Sequence, residues 1–256
     1  MSDLDPSRIA HGGKGLYGSR VGILMLETKF PRIPGDMGNG LTWPFPVLYK
    51  VVPGATPDRV VRHKSAGLTN AFLDAAAELV QLGADGITTT CGFLSLYQRE
   101  LAAHVRVPVA ASSLMQIPLV ERILPPGKRV GVLTVSAASL TAEHFTAAGA
   151  DPQTPVVGTE NGREFTRVML DEKHTLDAAA AERDILDAGD TLVAAHPDTG
   201  AVVLECTNMV PYARALSDHL LLPVYSIYTF VTWFQAGLAP RDFGPPGSGP
   251  REWRER

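Results

Sequence analysis

The chain is poor in cysteine: it has two in 256 residues. Two thiols are too few for a typical zinc site, and no HExxH or CxxC motif stands near them. There is no basic run of five or more, and 23 basic against 27 acidic residues give a net charge of −4. Nucleic acid is therefore not the expected partner. No apolar stretch approaches the roughly 18 residues of a membrane helix, so no membrane association is expected. The first twenty residues, MSDLDPSRIAHGGKGLYGSR, lack the apolar core of a signal peptide. A cytoplasmic location is the expectation, and there both thiols stay reduced. They are then either buried structural groups or reactive ones.

What is present is an ordinary globular composition, 45% hydrophobic and 20% charged, in a chain long enough for one large domain or two lobes. Short apolar runs at 21–26, 47–52, 86–90, 107–111, 130–135, 156–159, 201–205 and 223–227 read as strands. Several are nearly continuous, as central parallel strands are. Helical patterns alternate with them. Leu68, Phe72, Ala75, Leu79 and Leu82 recur at four- and three-residue steps before a Gly83 stop. Ala178, Ala181, Ile185, Ala188, Leu192 and Ala195 form a second apolar face. This alternation predicts an α/β fold with parallel sheets flanked by helices.

The chain also repeats itself. Arg20-Val-Gly-Ile-Leu resembles Arg129-Val-Gly-Val-Leu. A shift of 206 − 91 = 115 positions lays Cys91 on Cys206. Without a gap it also lays Tyr97 on Tyr212, Arg99 on Arg214, Leu101 on Leu216, His104 on His219, Pro108 on Pro223 and Val109 on Val224. Two pseudo-symmetric lobes are expected, at 20–127 and 128–225, with a helix in 226–243 crossing back to the first lobe. Residues 1–19 read as a flexible arm, and the Pro/Gly-rich 244–256 as a flexible tail.

Each cysteine follows a strand and precedes a helix. Ligands of open parallel sheets bind beyond the carboxyl ends of the strands. A helix N-terminus there favours negative charge and is expected to lower a thiol's pKa. With the lobes facing each other, one thiol approaches a bound molecule from each side. One takes a proton from a carbon beside a carboxylate or carbonyl, and the other delivers one to the opposite face. The backbone N–H groups of Gly92, Phe93, Thr207 and Asn208, with the Thr207 hydroxyl, are candidates to stabilise the carbanion. Neither metal nor cofactor is needed. The competing reading is that each cysteine is a small buried hydrophobe. The matched positions of the two argue for chemistry instead.

The motifs Thr89-Thr90-Cys91-Gly92-Phe93 and Glu205-Cys206-Thr207-Asn208, each after a parallel strand, resemble the aspartate/glutamate/hydantoin racemase superfamily. The resemblance spans about residues 20–236. It implies enzymes that work without a metal through one or two cysteines. They include amino-acid and hydantoin racemases, maleate isomerase, arylmalonate decarboxylase and an algal dimethylsulfoniopropionate lyase. Bacterial glutamate racemases carry Asp-Ser-Gly, Cys-Asn-Thr and Cys-Thr-His where this chain has Leu26-Glu27-Thr28, Cys91-Gly92-Phe93 and Cys206-Thr207-Asn208. A dedicated glutamate racemase is therefore disfavoured. Arylmalonate decarboxylase keeps only the second cysteine, so the presence of both favours two-base chemistry.

The leading expectation is a racemase or epimerase acting at the α-carbon of a small carboxylate, amino acid or hydantoin. A lyase or isomerase of the same superfamily, for example one eliminating from dimethylsulfoniopropionate, is the alternative. A small-molecule binding protein is the rival of another class. Asp36 and Trp43, in the proline-rich loop 30–46, are candidate substrate contacts. So are Thr90 and Phe93, and Thr134 and Ser136 as carboxylate holders. A homo-oligomer is the default for a soluble enzyme, and the sequence does not set its state.

Overall fold

The computed structural model describes residues 10–243. The expected tail 244–256 and the first nine residues of the expected arm lie outside the described residues. Residues 14–16 do not behave as a loose arm: the Leu16 N–H donates to the Leu82 carbonyl at 2.7 Å, and Lys14 pairs with Asp85.

Among the described residues, eight strands form two four-stranded, wholly parallel sheets. The first contains β1 (Val21–Leu26), β2 (Val47–Val52), β3 (Gly86–Thr89) and β4 (Val109–Ala110), in the order β2-β1-β3-β4. The second contains β5 (Arg129–Thr134), β6 (Val156–Gly158), β7 (Thr199–Leu204) and β8 (Val224–Tyr225), in the order β6-β5-β7-β8. The α/β architecture with two lobes is as expected. Parallel strands covered by helices on both faces bury nearly every side chain, which is why they read as continuous apolar runs. In β7, Ala201 to Leu204 are wholly inaccessible.

The last strand of each sheet is shorter than the apolar run suggests. β4 and β8 pair over two residues only, next to Pro108 and Pro223. A proline has no N–H to give to a ladder, and an edge strand has a neighbour on one side only.

Among the described residues, eight α-helices cover the sheets: α1 (Thr69–Leu82), α2 (Gln98–Val105), α3 (Ile117–Ile123), α4 (Ala142–Ala147), α5 (Phe165–Leu170), α6 (Ala178–Ala195), α7 (Ala213–Leu220) and α8 (Ile227–Leu238). α6 starts where the Asp177 carboxylate accepts the Ala180 N–H at 3.0 Å, an N-cap contact. Its buried face runs through Ala181, Ile185, Ala188 and Leu192, while Ala178 and Ala195 at its ends are exposed. Asp184 interrupts that face. Its carboxylate accepts the N–H groups of Arg163, Glu164 and Phe165, which starts α5. α8 contacts β3 and β4 of the first sheet as well as β8. No helix among the described residues is long and apolar enough to cross a membrane.

The two carboxyl-terminal edges meet. The Thr207 hydroxyl donates to the Thr90 carbonyl at 2.7 Å, and the Ser113 hydroxyl donates to the Leu204 carbonyl at 2.6 Å. The loop 30–46 crosses from the first lobe and lays Gly35 against Pro211 of the second. Gly35 has φ +99°, and a Cβ there would stand 3.0 Å from the Pro211 Cα. Only glycine meets both demands without strain. Gly35→Ala is expected to cost about 1–3 kcal/mol of stability. A urea titration checks this by a lowered midpoint.

Candidate active site

Cys91 stands two residues beyond the end of β3, and Cys206 stands in the same place after β7. Each is followed by a six-residue 3-10 turn, Gly92–Tyr97 or Thr207–Tyr212, and then by an eight-residue helix, α2 or α7. The sequence predicted a helix directly after each cysteine. The tighter 3-10 form comes first, closed by i→i+3 bonds from the Leu94 N–H to the Cys91 carbonyl and from the Met209 N–H to the Cys206 carbonyl.

Both cysteines line one small cavity between the lobes. The wall is mainly apolar, with Leu26, Phe30, Val61, Phe93, Val135 and Met169. Among the described residues, Arg32 is the only cationic side chain in the lining and Glu205 the only acidic one. Thr90, Gly92, Thr207 and Asn208 line the cavity too.

Burial dominates the electrostatics. Cys91 is 8% exposed and Cys206 7%. Loss of hydration pushes both thiols well above the ordinary range, and the nearby Glu205 carboxyl adds to the effect. The expected lowering at the helix start is present but loses. The Phe93 N–H points at the Cys91 sulfur and the Asn208 N–H at the Cys206 sulfur, each favouring thiolate. Arg32 lowers Cys91 further, while Asp36 raises Cys206.

These contacts revise the expected carbanion stabilisers. The Phe93 and Asn208 N–H groups serve the sulfurs. The Thr207 hydroxyl is spent on the Thr90 carbonyl, since buried polar groups take the nearest partner. Thr90 accepts the Leu26 N–H on its hydroxyl at 3.1 Å.

Four of the residues singled out from the sequence do not line the cavity. Asp36 lies behind it, 2% exposed, its carboxylate accepting from Arg32 at 2.7 Å, the Gly38 N–H at 2.7 Å and the Asn208 amide at 2.6 Å. Trp43 is packed with Phe45 and Tyr228, both at 5.6 Å between ring centres, and its indole N–H donates to the Met37 carbonyl. Thr134 donates its hydroxyl to Glu205 at 2.6 Å. Ser136 donates to Ser139 at 3.0 Å. All four have satisfied their polar groups within the protein.

Two residues were missed. Arg32 sits in the same loop as Asp36. It donates to Thr28 at 2.9 Å as well as to Asp36, and its guanidinium lies 4.9 Å from the Phe30 ring centre. A basic residue in a loop on the binding edge was the available signal. Glu205 closes the apolar run Ala201-Val-Val-Leu-Glu, and an acid in a buried strand was its signal.

Glu205 is wholly buried. One carboxyl oxygen accepts from Thr134, and the other has no partner among the described residues. It packs on Gly92, where any side chain would collide with that unpartnered oxygen. Burial pushes the Glu205 pKa up to about 8 against the ordinary 4.5, so the carboxyl is mostly neutral near pH 7.

The chain has the fold of the aspartate/glutamate/hydantoin racemase superfamily. A glycine-to-cysteine mutant of arylmalonate decarboxylase, in its sulfate-associated form, matches with a TM-score of 0.60 and 16% identity, over 90% of this chain and 98% of that one. A glutamate racemase from Bacillus anthracis matches with a TM-score of 0.55 and 16% identity, over 87% of this chain and 85% of that one. At sequence level the relatives are more particular. The chain is 27% identical over 241 residues to a dimethylsulfoniopropionate lyase of Durusdinium sp. clade D, covering 91% of this chain and 78% of that protein. It is 27% identical over 237 residues to dimethylsulfoniopropionate lyase 3 of Emiliania huxleyi, covering 85% of this chain but only 59% of that longer protein. No family model matches the chain.

The raised carboxyl gives a signed test. A folded-state pKa above the unfolded value contributes stability that is full below about pH 4.5 and is lost as pH rises through about 8. Glu205→Gln keeps the acceptor for Thr134 and removes the titration. Across pH 5–9 the variant is expected to gain thermal stability relative to the parent as pH rises, and melting curves at each pH read the difference.

Proposed function

We propose that the chain is a β-eliminating lyase acting on a small β-sulfonium carboxylate of the dimethylsulfoniopropionate type. The observation that carries this reading is the make-up of the cavity. It holds two thiols and one arginine in a largely apolar wall, and its one carboxyl, Glu205, is mostly neutral near pH 7. An amino-acid substrate brings an α-ammonium, which is strongly hydrated and asks for anionic or carbonyl acceptors. A sulfonium has no N–H to satisfy and sits comfortably against apolar and aromatic walls such as Phe93. The seven significantly similar curated relatives, all named dimethylsulfoniopropionate lyases, favour the same choice.

In this reading the substrate carboxylate meets Arg32, whose planar donors suit a carboxylate. A cysteine thiolate takes the α-proton. The C–H electron pair forms the Cα–Cβ double bond, and the Cβ–S pair leaves with neutral dimethyl sulfide. Acrylate remains, and the thiol returns its proton to solvent. The bound sulfonium and Arg32 both bring positive charge into a water-poor space, which favours the thiolate as the site fills. The charge that spreads onto the carboxylate in the transition state is held by Arg32. The two lobes act as pseudo-symmetric halves that supply one thiol each, and no metal or cofactor enters the step.

Racemisation, the leading reading from the sequence, shares the first proton transfer and differs in the fate of the electron pair it releases. Incubation with dimethylsulfoniopropionate in deuterium oxide separates the two: elimination releases dimethyl sulfide and acrylate, whereas racemisation of a chiral acid exchanges the α-proton with loss of optical activity. A binding protein does neither. Absence of dimethyl sulfide, with exchange on an amino acid instead, overturns the proposal. Cys91→Ala is expected to reduce turnover by at least about 100-fold, the scale of a lost general base. Arg32→Gln is expected to lower kcat/KM about 10- to 100-fold, the range for a lost charge-assisted hydrogen bond. Headspace measurement of dimethyl sulfide over a substrate series reads both.

A further inference from the structure

The two cysteines occupy matching places but not matching surroundings. Two residues after Cys91 stands Phe93, whose side chain offers no hydrogen bond. Two residues after Cys206 stands Asn208, and the Cys206 S–H donates to its side-chain carbonyl with a sulfur–oxygen distance of 3.6 Å. The amide's other end is committed. Its NH₂ donates to an Asp36 carboxylate oxygen at 2.6 Å.

That second contact fixes which way the amide faces. A flipped Asn208 would press its carbonyl oxygen against the Asp36 carboxylate. Asp36 cannot turn away, because Arg32 and the Gly38 N–H hold its other oxygen, both at 2.7 Å. The Cys206 sulfur therefore always meets an acceptor. An acceptor bonds a thiol and repels a thiolate, so it favours the neutral form. Among the described residues, Cys91 has no such acceptor.

We propose that the Asp36–Asn208 pair holds Cys206 as the thiol and thereby leaves Cys91 as the base. The loop 30–46 belongs to the first lobe, so one lobe sets the protonation state of the other lobe's cysteine. This inequality suits elimination, a consequence that rests on the function proposed above. Dimethyl sulfide departs neutral and needs no proton, so one base suffices, and Cys206 stays a neutral thiol with its S–H kept on Asn208. A racemase working in both directions needs two thiols that exchange roles, and a fixed acceptor on one of them would work against it. Asp36 and Asn208 are positioning residues. They act through Cys206.

The test needs no substrate. The full chain is treated with iodoacetamide over a series of pH values, and the modification rate of each cysteine is followed by peptide mass spectrometry. Only thiolate reacts. The parent protein is expected to show Cys91 reacting at lower pH than Cys206. Asp36→Asn offers Asn208 a neutral amide partner and frees its amide to turn its NH₂ toward the sulfur. This is expected to move the Cys206 profile down by about one pH unit, roughly tenfold in rate on the rising limb, with a smaller change at Cys91. Asn208→Ala removes the acceptor outright and is expected to move Cys206 the same way. Circular dichroism on both variants confirms that the comparison is between folded proteins. If Cys206 reacts at the lower pH in the parent, or if both folded variants leave its profile in place, the proposal fails. Because alkylation does not depend on turnover, its outcome is read separately from that of the dimethyl sulfide assay.

Discussion

The approach of two strand ends across the lobes governs this molecule. The Thr207 hydroxyl reaches the Thr90 carbonyl, the Ser113 hydroxyl reaches the Leu204 carbonyl, and Glu205 lies flat on Gly92. Such close contact excludes water from the ends of β3 and β7. Both thiols and one carboxyl are thereby placed in a medium that disfavours charge, and each is shifted toward its neutral form. Under the proposed function, a site of this kind has to generate its base by other means than solvation. Two backbone N–H groups aimed at the sulfurs and a single arginine in the wall are the available means.

The loop 30–46 takes a part that the sheets cannot. The two sheets have corresponding strand orders and present their cysteines alike. The loop breaks that equivalence. It carries Arg32 to the cavity and Asp36 to the back of Asn208, and its tip rests on Pro211. Positive charge thus acts on Cys91, and negative charge with a fixed acceptor acts on Cys206. Under the proposed function, a segment outside the symmetric frame thereby biases a matched pair of cysteines toward one-way proton transfer.

Much of this was open to a reading of the residues. The strands were legible because parallel strands buried on both faces are apolar throughout, and α6 because its Ala181, Ile185, Ala188 and Leu192 recur at helical spacing. Cys91 and Cys206 were legible as a pair because a fixed shift aligns them with six further identities. The polar contacts were less so. Asp36, Trp43, Thr134 and Ser136 have the chemistry of ligand-binding residues, and in the folded chain that chemistry is satisfied by Asn208, Met37, Glu205 and Ser139. Arg32, four residues before Asp36, faces the cavity instead. Spacing along an irregular loop carries no period from which to tell one from the other.

The sequence by itself determined the class of fold, the positions of both cysteines after parallel strands and the shortage of other reactive groups. These depend on local pattern and on order along the chain, and both survive without coordinates. The tertiary structure alone decided that burial outweighs the helix-start effect on the thiols. It alone decided that Glu205 is mostly neutral near pH 7, and that the two cysteines stand in unequal surroundings. Desolvation and hydrogen bonding act through distances between residues far apart in sequence, such as the 172 positions between Asp36 and Asn208. No pattern along the chain encodes which of them will meet.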